Sequence, residues 1–272
     1  MTNSTNDFTQ FEYDGWQKSA DQYHTSFGSL TNQTIQPLLN AVKAKPGSKI
    51  LDVATGPGYV AVEANKRQCD IIGLDFSEAM LAKAREVNPT ITFVQGSAEE
   101  LPFNEGEFDA IVMNFGILHL AEPEKAIAEA FRVIRPGGTY GFTIWKNLEK
   151  SVGIKLVHEA IQAHGDFSVS LPEGPPFFYY SEPKNCIEAL TKAGFVNAKA
   201  EEFQLSWQLT DADELFDAFA KGTGRTGGFL RRQTPECLDQ IRQAVHQSAV
   251  NYIEGDRLVL PMAALVASAE KA

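Results

Sequence analysis

Hydrophobic and polar positions follow two spacings along the chain, and the changes between them mark most of its elements. Trp16, Ala20, Tyr23 and Phe27 recur every three or four residues, and Ile35, Leu38, Leu39 and Val42 repeat the pattern, which predicts two lead helices closed by Pro46-Gly47. The ten residues before them are polar and read as disordered until something docks on them. Ile50, Leu51 and Val53 then form a short run of strand type, Gly56-Pro57-Gly58 turns the backbone, and Tyr59 to Val62 return to helical spacing. A second strand, Asp70 to Asp75, leads to a helix with Ser77 as N-cap and Met80, Leu81 and Ala84 facing inward. A third strand runs from Ile91 to Gly96. The fourth, Phe108 to Asn114, is almost continuously apolar, as expected of a strand covered on both faces. Pro123 opens a helix with an Ala126, Ile127, Ala130, Phe131 and Ile134 stripe; Pro136-Gly137-Gly138 ends it, and Thr139 to Trp145 is a fifth strand. Strands alternating with helices predict a doubly wound α/β fold around a parallel sheet.

Beyond Trp145 the pattern changes. Ile154 to Ala163 reads as a helix, Leu171 to Tyr180 as a Pro- and aromatic-rich loop suited to lining a pocket, and Pro183 to Ala193 as a helix capped by Gly194. Val196 to Trp207 and Leu258 to Ala269 predict two long strands, with Asp211 to Tyr252 inserting helices above the sheet. Lys221 to Gly228 is glycine-rich but follows no apolar strand, so it reads as a flexible cap linker rather than a phosphate loop, with Arg225 as a candidate contact to an acidic acceptor. The predicted organisation is one catalytic domain: lid helices over residues 1–46, a core over 47–150, and the rest of the sheet over 151–272, with cap insertions at about 151–182 and 211–255.

Composition narrows the partners. A formal net charge of −11 without any cluster of Lys and Arg argues against a nucleic-acid groove. Three cysteines, an odd number, leave no complete disulfide framework and fit a reducing, cytoplasmic setting. The five histidines lack metal-ligand spacing, so no metal is expected. The opening residues have neither a basic flank nor an apolar core, and no run approaches a membrane span, which predicts a soluble protein.

The chemistry concentrates at the ends of the first strands. The bend at Gly56 and Gly58 lets a ligand approach backbone amides at a helix start. Asp75, about twenty residues on, stands where doubly wound folds accept the two hydroxyls of a nucleotide ribose. Asp52 lies inside an apolar strand, where an unpaired carboxylate is costly and must be satisfied by something.

Five ordered segments, Leu51-Asp52-Val53-Ala54-Thr55-Gly56-Pro57-Gly58, Gly73-Leu74-Asp75, Gly96-Ser97-Ala98-Glu99-Glu100-Leu101-Pro102-Phe103, Phe108-Asp109-Ala110 and Arg132-Val133-Ile134-Arg135-Pro136-Gly137-Gly138, resemble the motifs of class I S-adenosylmethionine-dependent methyltransferases. The subgroup most similar is the ubiquinone and menaquinone biosynthesis type (methyltransferase type 11). The likeness is good over Lys49 to Trp145, weak before it and slight after it. It implies a Rossmann-like, doubly wound seven-stranded sheet with an antiparallel last strand, a helical cap, and S-adenosylmethionine as cofactor, with S-adenosylhomocysteine as product. By the same resemblance Tyr23 covers the methionyl part and Asp52 acts on the cofactor's amino-acid end. Ala54 replaces the usual first glycine, and Ser97, beside Ala98, stands where an adenine-binding Asp is usual. Phe76 and Met80 would flank the adenosine. Asn114, at a strand's carboxyl end, is a candidate contact to the methionyl part or the acceptor, and His119 the candidate general base.

Two other readings compete. A nicotinamide-dependent dehydrogenase fits the loose pattern Gly56 to Ala61, but Tyr180 and Lys184 cannot share a helical face across Pro183. A non-catalytic cofactor-binding sensor would carry the same binding motifs. The expected reaction is in-line transfer of the sulfonium methyl to a small-molecule acceptor. The acceptor, the methylated atom and the choice between monomer and homodimer stay open.

Overall fold

The computed structural model describes residues 2–272. In chain order the helices are α1 (Thr2–Ser26), α2 (Gly28–Thr31), α3 (Ile35–Ala41), α4 (Tyr59–Lys66), α5 (Glu78–Val87), α6 (Pro123–Val133), α7 (Val152–His164), α8 (Pro183–Lys192), α9 (Ala212–Gly222), α10 (Arg225–Leu230) and α11 (Pro235–Ala249). The strands are β1 (Lys49–Val53), β2 (Asp70–Asp75), β3 (Thr92–Gln95), β4 (Phe108–Met113), β5 (Ile134–Trp145), β6 (Val196–Leu209), β7 (Ile253–Glu254) and β8 (Arg257–Glu270).

The sheet order is β3-β2-β1-β4-β5-β8-β6, with the short β7 folded back on β8. β1 to β5 are parallel, and β8 runs antiparallel to both β5 and β6. Successive side chains of a strand point to opposite faces. Ile50, Ala110 and Val112 accordingly pack with Leu38 and Leu39 of α3 and with Val60 and Leu81 of α4 and α5. Leu51, Val53, Ile111 and Met113 pack on the other face with Ile127, Val157 and Leu190 of α6, α7 and α8. The sheet is therefore covered on both sides, and its order reverses between β1 and β4, where open α/β sheets form a ligand crevice.

Three expectations change. The stretch read as disordered is helical from Thr2, Met1 lying outside the described residues, and Phe8 is buried. Its polar composition hid the cause, which is tertiary: α1 crosses α10 so closely that a Cβ on Gly15 would stand 2.7 Å from Gly224 Cα. The glycine-rich 221–228 stretch is likewise packed rather than a flexible linker, since Gly222, Gly224, Gly227 and Gly228 are buried and α10 starts at Arg225. Finally, α6 stops at Val133 and Pro136-Gly137-Gly138 lies within β5, where the β4 register jumps from Phe108↔Ile134 to Ala110↔Thr139. Gly137 takes φ +79° in that bulge.

Candidate active site

β1 ends in Asp52 and Val53 and passes into the turn at Ala54 to Gly58. Asp52 shares its face with α4, is fully buried, and accepts the Thr55 hydroxyl at 2.5 Å through Oδ2, while Oδ1 has no hydrogen-bond partner among the described residues. Burial pushes its carboxyl up to about 7, against the lowering effect of the Thr55 hydroxyl and the Ala61 amide, with the Asp75 charge adding to the rise. Asp75, closing β2, accepts the Gly56 amide at 2.9 Å through Oδ2 and the Ser77 amide at 2.9 Å through Oδ1. Burial raises it to about 6, opposed by the amides of Ser77, Gly56 and Phe76. Two carboxylates thus stand buried side by side, one holding the turn and one under it.

Backbone strain sits at the same place. Ala54 (φ +54°) and Phe115 (φ +55°) adopt the left-handed region at the carboxyl ends of β1 and β4, on either side of the sheet's reversal. A non-glycine residue pays roughly 1–2 kcal/mol for this conformation. Phe115 is held there by the Thr143 hydroxyl, which accepts its amide at 2.9 Å, and by stacking on Trp145 with centroids 3.9 Å apart. The next residue must be small, because a Cβ on Gly116 would stand 2.7 Å from Ala54 Cβ. At Gly56 (φ +52°) a Cβ would meet nothing within 4 Å.

Between these strand ends lies a cleft of about 970 Å³, counted out to bulk solvent. It is lined by Asp52, Ala54, Gly56, Asp75, Phe76, Met80, Ser97, Ala98, Asn114 and His119 of the expected site, together with Tyr23. Gly58 does not line it: as the left-handed N-cap of α4 (φ +83°) it shapes the turn, and a Cβ there would meet the Phe93 ring at 2.9 Å. The Asn114 side chain is already committed, with Oδ1 accepting from Thr34 and Thr143 at 2.8 and 2.7 Å and Nδ2 donating to Thr31 O at 3.2 Å. It therefore braces β4 against the lead helices and β5. Ser97 accepts the Glu99 amide at 3.1 Å.

α1 closes the cleft from above. Trp16 and Ala20 pack on Met80 of α5, flanked by Tyr23 and Phe76. Gln17 Oε1 accepts the Ser77 hydroxyl (2.9 Å) and the Ala79 amide (2.8 Å), so the lid grips the first turn of α5. Burial raises the Tyr23 hydroxyl to about 12, leaving it a neutral donor. His119 meets the lid directly: its Nδ1 lies 3.0 Å from Glu12 Oε2, and its ring stands edge-on to Trp16. Glu12 and Gln17 escaped the sequence reading, since their partners are far away along the chain.

A second chamber of about 550 Å³ adjoins the cleft and shares Trp16, Tyr23, Thr31, Phe115 and His119 with it. Its remaining walls are mostly aromatic and aliphatic, including Phe27, Trp145, Phe177 and Phe219, and among the described residues Arg225 is its one Lys or Arg. The Arg225 guanidinium donates to Pro175 O at 3.0 Å and lies over the Phe8 ring. The 171–180 loop, expected to line a pocket, does so through Phe177.

A doubly wound sheet of this order, with the glycine turn after β1 and an acid closing β2, is the fold of the class I S-adenosylmethionine-dependent methyltransferases. Residues 50–138 match the methyltransferase domain family. The chain is 42% identical over 101 residues to demethylmenaquinone methyltransferase of Renibacterium salmoninarum, covering 37% of this chain and 43% of that protein. It is 41% identical over 109 residues to the ubiquinone/menaquinone biosynthesis C-methyltransferase UbiE of Brucella anthropi, covering 37% and 41%. The matches thus span less than half the length of these relatives. Among solved structures, phosphoethanolamine N-methyltransferase 2 of Haemonchus contortus, in complex with phosphomonomethylethanolamine and S-adenosylhomocysteine, superposes with a TM-score of 0.60 at 21% identity, over 97% of this chain and 60% of that one. The [4+2]-cyclase SpnF superposes at 0.52 with 18% identity, over 89% and 81%. One fold carries different chemistries, so the activity has to be argued from the site.

Proposed function

We propose that the chain transfers the methyl group of S-adenosylmethionine to a small-molecule acceptor. The observation that carries this is the carboxylate pair at the ends of β1 and β2: Asp75 holding the glycine turn, and Asp52 beneath it with one oxygen unpartnered among the described residues. Such a pair suits a ligand with a ribose diol at one end and a cationic amino-acid group at the other. Asp75 has lone pairs left for the diol, Phe76 and Met80 would flank the base, and Ser97 and Ala98 lie along the same cleft. Asp52 and the turn would hold the amino-acid end, and Tyr23 and Trp16 would cover it. When bound, the cofactor supplies a methyl group already activated by its sulfonium charge.

The protein's part is alignment and exclusion of water. Holding acceptor and methyl group in line can supply about 7–11 kcal/mol of the barrier. The second chamber, opening on the cleft beside Phe115 and His119, offers the acceptor a largely apolar, aromatic-walled seat. This supports an acceptor with a planar apolar body, and Arg225 would favour one that carries an acidic group. Three free cysteines support a reducing, cytoplasmic setting. Among the described residues no helix is long and apolar enough to cross a membrane.

The test is labelled-methyl transfer from S-adenosylmethionine onto quinols, phenols, amines and thiols. Turnover on at least one class is expected; binding of the cofactor without transfer to any of them would favour the sensor reading.

A further inference from the structure

Glu12 lies on the lid helix with none of its surface exposed, an expensive place for a carboxylate. Its Oε2 accepts the Trp16 indole N–H at 3.0 Å and lies 3.0 Å from His119 Nδ1, while Oε1 has no partner among the described residues. Oε2 already serves as an acceptor for the Trp16 N–H, and acting as an acceptor toward His119 as well it places the hydrogen between them on Nδ1. That leaves Nε2 as the nitrogen free to exchange a proton, on a ring that borders both the cleft and the aromatic chamber. The Trp16 indole packs against the imidazole, 4.7 Å between centroids and perpendicular to it.

We propose that Glu12 is the positioning residue of His119: from the lid it fixes the Nδ1–H tautomer, presents a bare Nε2 to the acceptor, and supplies the negative charge that accompanies the imidazolium. This gives chemical meaning to the pair only on the methyl-transfer reading above. In the step it serves, the acceptor's O–H or acidic C–H bond breaks and its proton passes to Nε2. The electron pair released forms the bond to the methyl carbon, and the carbon–sulfur bond breaks with its pair remaining on sulfur. The positive charge of the sulfonium ends on the imidazolium, next to Glu12. Other charges facing this pair are the Asp75 carboxylate at the end of β2, Glu99 on the cleft wall, and Arg225 at the start of α10, whose charge reaches Glu12. Because Glu12 and His119 are 107 residues apart and meet only through docking of α1, covering the cleft and completing the base are one event.

The test is the nitrogen-15 spectrum of the imidazoles in the full chain, with and without S-adenosylhomocysteine, at alkaline pH where the rings are neutral. His119 should be in the Nδ1–H form. Glu12→Ala should return it to the Nε2–H form that an unconstrained imidazole prefers, while Glu12→Gln, whose amide oxygen still accepts, should keep Nδ1–H. With unsubstituted phenol, whose O–H is intact at neutral pH, as the hydroxyl probe, kcat at neutral pH should fall ~100-fold in both variants, with S-adenosylhomocysteine affinity within about twofold of wild type if only His119 positioning is lost. A wild-type His119 in the Nε2–H form would overturn the assignment even if a variant failed to fold, and so would a Glu12→Ala spectrum unchanged from wild type. Failure to bind S-adenosylhomocysteine would strike the methyl-transfer reading instead, and the tautomer would still be read from the unliganded chain.

Discussion

Asp75 Oδ2 accepts the Gly56 amide at 2.9 Å, so the acid that closes β2 also fixes the turn that follows β1. The carboxylate proposed to take the ribose diol and the backbone of the glycine turn are therefore one unit. On that proposal, replacing Asp75 removes the diol acceptor and loosens the turn together. Asp75→Ala should weaken S-adenosylhomocysteine by roughly 10- to 100-fold, as expected for charge-assisted hydrogen bonds of ~1.5–3 kcal/mol. Calorimetry showing wild-type affinity would remove the ribose assignment.

The raised carboxyls at Asp52 (about 7) and Asp75 (about 6) fix the sign of a pH effect. An acid whose folded value lies above its unfolded value near 4 favours folding below that pH, and the contribution disappears as pH rises through the folded value. The unliganded chain should lose of order 4 kcal/mol from Asp52 between pH 4 and 8, an upper bound in which each tenfold difference in proton affinity counts for about 1.4 kcal/mol. Thermal melts should show Asp52→Asn gaining on wild type as the pH rises over this window. A constant difference from pH 4 to 8 would contradict it.

A cationic cofactor prefers these acids ionised, so its binding should release protons below about pH 7. Affinity should fall by up to about tenfold per pH unit between about pH 7 and 6, and by up to about a hundredfold per unit below about pH 6, where both acids must give up a proton. Titrations in buffers of different ionisation enthalpy measure the release directly. Equal heats in all buffers at pH 6 would sink the prediction.

Ala54 and Gly116 compete for one space, with 2.7 Å between Ala54 Cβ and a Cβ built on Gly116. Gly116→Ala should cost roughly 1–3 kcal/mol by overpacking. Part of this should return in the double variant with Ala54→Gly, which also relieves the left-handed strain; Met113, equally near, prevents full recovery. Strict additivity in denaturant melts would show that the two sites do not interact.

The crossing of α1 and α10 at Gly15 and Gly224 holds the lid down. Gly15→Val should push α1 off α10 and weaken S-adenosylhomocysteine several-fold, while exposing Thr2–Ser26 to proteolysis. Wild-type affinity with an equally protected helix would mean that the crossing is not what docks the lid.

What could be read from the chain follows the range of the interactions. The strands, the turn, Asp52 and Asp75 were legible because apolar spacing, glycines and an acid at a strand end are local signals. Gly58 was placed in the turn, yet its role as helix cap rather than cleft wall depends on Phe93, far along the chain. Asn114 follows β4 at its carboxyl end, a local signal, but its side-chain partners Thr31, Thr34 and Thr143 lie 29 to 83 residues away. Glu12 and Gln17 carry no local signal, because their partners His119, Ser77 and Ala79 lie 60 to 107 residues away. The glycines at 222–228 signal flexibility in isolation, and only the opposing Gly15, Phe11 and Glu12 reveal them as a close helix contact.

The central claim is that the crevice between β1 and β4 takes an adenosyl amino acid, and calorimetric titration of the full chain at pH 8 tests it most directly. One equivalent of S-adenosylhomocysteine should bind, with reduced nicotinamide dinucleotide showing no heat at the same concentration. Binding of the dinucleotide in its place, or no binding of either at millimolar supply, would contradict the account.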